Sequence, residues 1–186
     1  WVTTPNTLRY RIEVAAVLRL LRRFPRPPGG LLDVGAGCGE MSLRLREAGL
    51  ALKLTAVEPD PRNFAQLHRM YAGHSGAICR LAALPDLPFP DGAFDLVLCT
   101  QVLEHIVDHR AAARELMRVL SPSGRLVVSV PFIPPGRRLE ECPHHDPVGH
   151  VRPGYTEAEL ADLFAPEGGA VRGVEYFYGE VTHRRW

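Results

Sequence analysis

The segment Leu31-Leu32-Asp33-Val34-Gly35-Ala36-Gly37-Cys38-Gly39-Glu40 constrains the fold of this chain more than any other. A short apolar run leads into three glycines at alternating positions, and a helical pattern begins directly after them. That order predicts a strand, a tight turn and a helix, with backbone bare enough for a ligand to lie against it. The spacing also separates two ligand classes. Enzymes that bind dinucleotides carry G-x-G-x-x-G and seat the pyrophosphate on the helix N-terminus. Here Gly39 falls one residue early, and Glu40 takes the place of the last glycine. A carboxylate just inside the helix start repels a pyrophosphate, so the loop suits a neutral or cationic centre.

Elsewhere short apolar runs alternate with helical patterns. Residues 6–24 predict an amphipathic helix with Leu8, Ile12, Ala15, Ala16, Leu18 and Leu21 near one face, ended by the Pro25–Gly30 segment. Strands are expected at about 31–35, 52–57, 77–82, 94–99 and 125–130, with a sixth over Ala170–Phe177. Helices are expected at about 39–48, after Pro61, at 109–120 up to Ser121-Pro122-Ser123-Gly124, and from Thr156, whose spacing to Glu159 is that of a capping box. The alternation predicts an α/β fold with a doubly wound, mainly parallel sheet in three α/β/α layers. Residues 131–155 lack periodicity and are long for a structureless connection, as functional covers are.

A chain of 186 residues suffices for one such domain and is too short for two. The division expected within it is an N-terminal helix and substrate cover (1–25), a cofactor-binding core (30–130), a substrate-side loop (131–155) and a C-terminal helix and strand (156–186). Lys+Arg is 22 against Asp+Glu 21, the arginines are scattered, and Lys53 is the only lysine, so no basic stripe points to nucleic acid. No apolar run reaches the roughly 18 residues of a membrane span. Cys38, Cys79, Cys99 and Cys142 lie far apart, without the spacing of a zinc or iron–sulfur site, and a cytoplasmic location is expected.

The D-x-G-x-G-x-G pattern of Asp33–Gly39 resembles motif I of class I S-adenosylmethionine-dependent methyltransferases. So do Glu58 closing the second apolar run, Leu87–Asp95 before the fourth strand, Val102-Leu103-Glu104-His105, and Leu116–Gly124 before the fifth. Together these cover roughly residues 30–165 and resemble the small-molecule branch. The resemblance implies a Rossmann-like sheet whose last edge strand is missing here, through truncation or an incomplete sheet. It implies S-adenosylmethionine as cofactor, held by Asp33, Gly35, Ala36, Gly37 and Gly39 at the methionine end and by Glu58 at the ribose diol. Pro59 and Asp60 would flank adenine, Leu84 would offer its backbone N–H, and Thr100 and Gln101 would lie beside the sulfonium. The acidic residue that usually meets the adenine amino group is replaced by Ala83, with Asp86 or a backbone carbonyl as the substitute.

The histidine-rich cover (His144, His145, Asp146, His150) admits a general base, pocket lining or a metal. His145 and His150 are the catalytic candidates; no metal is expected, because the spacing matches no zinc pattern. His150, Arg152 and Tyr155 match a stretch that positions lid or substrate in the family. The expected activity is methyl transfer to an O, N or C nucleophile of a small molecule, without nucleic-acid or membrane partners. The alternative is a non-catalytic cofactor-binding or scaffold domain of a larger assembly.

Overall fold

The computed structural model describes residues 8–24, 29–50, 53–134 and 149–177. Strands β1 (Gly30–Val34), β2 (Lys53–Glu58), β3 (Ala77–Leu81), β4 (Phe94–Thr100) and β5 (Leu120–Ser129) form one sheet in the order β3-β2-β1-β4-β5. All four pairings are parallel. The apolar runs of β1, β2 and β4 become parallel strands covered on both faces, whereas β3 is an exposed edge strand. Among the described residues five α-helices accompany them: α1 (Leu8–Arg22), α2 (Glu40–Glu47), α3 (Pro61–Tyr71), α4 (His109–Val119) and α5 (Glu157–Phe164).

Side chains alternate across the sheet, and so does the core. Leu31 of β1 joins Leu54, Leu96 and Leu98 against Val17 and Leu21 of α1, Met41 and Leu45 of α2 and Leu67 of α3. Its neighbours Leu32 and Val34 face the other way, with Val97 and Cys99, onto Ala112, Ala113 and Leu116 of α4 and Leu163 of α5. This is the three-layer α/β/α arrangement that the alternation predicts. Strand order reverses between β1 and β4, which are neighbours, and sheets of this kind bind ligands at that point, beyond Val34 and Thr100.

Local chemistry sets the helix starts. Asp60 accepts hydrogen bonds from Arg62 N and Asn63 N at 2.8 and 2.9 Å, with Pro61 in the first turn of α3. Asp108 caps α4, and Thr156 and Glu159 form the expected capping box of α5. Between β3 and β4, Arg118 fastens the connection. It donates to Leu87 O, Phe89 O, Asp91 and Glu115, and Glu115 accepts Leu87 N at 2.7 Å.

Three expectations are corrected. Residues 170–177 form no strand; Glu175 instead pairs with Arg19 of α1 and with Arg23 just after it, at 2.9 Å each, and Tyr176 meets Phe132 edge-on at 4.8 Å. Ser121–Gly124 belongs to β5, as a register shift between the pairs Phe94–Leu120 and Leu96–Arg125. The buried face of α1 is Glu13, Val14, Ala16, Val17 and Leu21, rotated from the expected stripe because Glu13 turns inward to Ser129.

Candidate functional site

The glycine turn and the tip of β2 are built as one unit. Gly35 N and Ala36 N both donate to Val57 O, at 2.9 and 3.0 Å, which closes the turn onto β2. Gly37 N donates to Glu58 Oε2 at 2.8 Å, and Asp60 N donates to Glu58 Oε1 at 3.0 Å. The carboxylate of Glu58 is thereby buried and fixed at the carboxyl end of the sheet, directly beside the turn. Gly35 and Gly39 are also demanded by packing. A Cβ on Gly35 would lie 2.4 Å from Val102 Cγ2, and one on Gly39 2.5 Å from Leu67 Cδ1 and 2.6 Å from Tyr71 Cε1. Gly39 thus also serves the contact of α2 with α3.

Asp33 points into the layer under α1. It is 1% exposed, and neither carboxylate oxygen has a hydrogen-bond partner of normal geometry. Burial pushes its carboxyl up to about 6; nearby Ser42 eases the shift and Glu58 adds to it. Burial, followed by Asp33 and Glu40, drives the Tyr10 phenol of α1 far above its ordinary range, so it stays protonated. Glu40 Oε2 is buried without a hydrogen bond as well. Asp33, Glu40 and Glu58 give this end of β1 and β2 an acidic character that a cation would relieve.

At the end of β4 the backbone enters the left-handed region at Gln101, φ +55°. Gln101 N donates to Ser129 O at 2.7 Å and Gln101 Nε2 to Ser129 Oγ at 3.0 Å. Ser129 Oγ in turn donates to Glu13 Oε1 at 2.7 Å. A chain of hydrogen bonds therefore ties α1 across the carboxyl ends of β4 and β5. Sequence reasoning missed Glu13 and Ser129. The available signal was an acidic residue inside the apolar stripe of α1.

Beyond β3, Asp86 N donates to Ala83 O at 3.1 Å, so that carbonyl is engaged in a local turn, and the Asp86 side chain is exposed. The Leu84 side chain is buried in the α4-side core, and Pro59 is exposed. Asp60, expected at the adenine edge, spends its carboxylate on the cap of α3.

His145 lies outside the described residues, with His144 and Asp146. His150 stands beside His105, their rings 4.6 Å apart. Arg152 and Tyr155 prove to be anchors. Arg152 donates to Ile106 O and Val107 O at 2.6 and 2.9 Å and to His109 Nδ1 at 2.8 Å. Tyr155 is 2% exposed and donates to Leu103 O at 3.2 Å. Together they clamp residues 149–155 onto the turn after β4.

A five-stranded parallel sheet of this order, with a glycine turn after β1 and an acid at the tip of β2, is the arrangement of class I methyltransferases, which dinucleotide-binding folds share in outline. The family model described as a methyltransferase domain matches residues 32–128, more than half of the chain, and the chain belongs to that family. An uncharacterized methyltransferase of Mycobacterium leprae is 36% identical over 105 residues, covering 55% of this chain and 38% of that protein. The demethylmenaquinone methyltransferase of Thermus thermophilus is 35% identical over 136 residues, covering 70% of this chain and 61% of that protein. Among solved structures, the YcgJ protein of Bacillus subtilis shares the fold with a TM-score of 0.68 at 23% identity, covering 85% of this chain and 68% of that one. The chain thus spans between 38% and 61% of the length of these two curated relatives. Among the described residues no helix is long and apolar enough to cross a membrane.

Proposed function

We propose that the chain binds S-adenosylmethionine at the carboxyl ends of β1, β2 and β4 and transfers its methyl group to an O, N or C nucleophile of a small molecule. The observation that carries this reading is Glu58, a buried carboxylate at the tip of β2 held by the N–H groups of Gly37 and Asp60. An acid at that place accepts hydrogen bonds from a ribose diol. Asp33 and Glu40, each with buried oxygens lacking a hydrogen bond, make the rest of the site fit a cationic nucleoside and not a pyrophosphate. The residues present therefore fit S-adenosylmethionine.

When bound, this cofactor supplies a methyl carbon on a sulfonium, whose bond to sulfur breaks as the bond to the nucleophile forms. The chain's own task is placement. Glu58 would hold the sugar, the turn at 35–39 would hold the amino-acid end, and the backbone at Thr100 and Gln101 would border the reacting end. Fixing both reactants in line accounts for about 7–11 kcal/mol in such reactions. Helix α1, tied down through Glu13, Ser129 and Gln101, covers the layer in which Asp33 is buried.

Incubation with S-adenosylmethionine labelled in its methyl group and small-molecule fractions of an extract tests the reading, with products followed by mass spectrometry. A labelled small molecule that forms only with active chain is expected. Tight cofactor binding with no labelled product from any fraction would favour a non-catalytic binding domain instead.

A further inference from the structure

After β4 the chain leaves the sheet through the turn Leu103–His105, and the segment returning at 149–155 lays His150 beside it. Glu104, His105 and His150 each offer a ligand atom, and these three atoms all lie within 4.8 Å of one another. Glu104 is fully buried, His150 is half-buried and His105 is exposed. The backbone holds the cluster together: Val151 N and Arg152 N donate to Glu104 O at 2.9 and 3.3 Å. His105 Nδ1 lies 2.8 Å from Gly149 O. A carbonyl oxygen only accepts, so Nδ1 carries the proton and Nε2 keeps its lone pair. Histidines that bind metals commonly donate their other ring N–H in this way, which fixes both tautomer and ring orientation.

We propose that Glu104, His105 and His150 bind a divalent cation of the zinc type. Two imidazoles and one carboxylate are the ligand set of open, three-ligand zinc sites, whereas magnesium and calcium prefer oxygen shells. Metal–ligand bonds of about 2.0–2.2 Å place tetrahedral ligand atoms about 3.4 Å apart, so movements of about an ångström complete the set. The proposal departs from the expectation of no metal, which rested on the resemblance and on local spacing. His150 joins His105 through the fold and not through any local motif. The site shares no residue with Glu58 or the glycine turn, so the proposal stands apart from the cofactor reading.

The test is titration of the full, chelator-stripped chain with Co2+, whose visible absorption reports coordination, followed by displacement with Zn2+. One Co2+ per chain is expected, displaced by one Zn2+. His105→Ala, His150→Ala and Glu104→Gln should each weaken binding at least tenfold, with circular dichroism confirming that each variant is folded. Because Glu104 is buried, the half-exposed His150 is the decisive position should Glu104→Gln not fold. Absence of binding up to millimolar Co2+, or parent affinity in either histidine variant, would overturn the proposal.

Discussion

Asp33 brings a carboxylate into the layer beneath α1, where its oxygens find no hydrogen bond. Unfolded, it ionises near 3.8; folded, near 6. Within that window the folded chain keeps a proton that the unfolded chain has released, so this residue's contribution to stability falls as pH rises. Above the window the ionised carboxylate costs on the order of 3 kcal/mol. Asp33→Asn removes the effect. Relative to the parent, its unfolding free energy should gain about 1–3 kcal/mol between pH 4 and pH 7 in urea titrations; an equal difference at both pH values contradicts the burial argument. Gly35 carries a different constraint, a φ of +70° and no room beside Val102. Gly35→Ala should cost on the order of 1–3 kcal/mol, and Val102→Ala added to it should recover part of that loss. A fully additive double mutant would show that the contact with Val102 is not the cause.

At the scale of elements, α1 and the β3–β4 connection are fastened by contacts remote in sequence. Leu21 is 4% exposed in the α1–sheet core, so Leu21→Ala should lower stability by about 2–4 kcal/mol in chemical denaturation. Arg118→Leu strips donors from Leu87 O, Phe89 O, Asp91 and Glu115. Amide exchange should quicken over residues 86–92 while β1 stays protected; unchanged exchange there would show the clamp to be idle. These fastenings mark the limit of what the sequence reveals. Strands β1, β2 and β4 were legible because strands covered on both faces read as unbroken apolar runs. The 170–177 run has the same β-branched and aromatic character, but Val171, Val174 and Tyr176 stay exposed, and its Glu175 is drawn to Arg19 of α1 and to Arg23 just after it. Pro122 and Gly124 read as a turn, yet β4 accommodates them by a shift of register. Motif I and Glu58 were legible because their signal is local. The links Glu13–Ser129–Gln101 and Glu104–His105–His150 were not, because only the crossing of strands and loops brings them together.

The whole molecule is a parallel sheet whose carboxyl edge gathers carboxylates from β1, β2 and α2 around one turn. A ligand that binds only the folded chain stabilises it by mass action, about 2.7 kcal/mol at a hundredfold excess over its dissociation constant. For a chain of this size, S-adenosylmethionine at that excess should raise the thermal midpoint by about 5–11 °C. The same excess of a dinucleotide should give a smaller rise or none, since its pyrophosphate would face Glu40 at the start of α2. The most direct measurement is calorimetric titration of S-adenosylmethionine into the parent chain and into Glu58→Gln. The account predicts one saturable site in the parent and at least a tenfold weaker one in the variant, the loss of charge-assisted hydrogen bonds worth about 1.5–3 kcal/mol. No heat with the parent, or equal affinity in both chains, would contradict it.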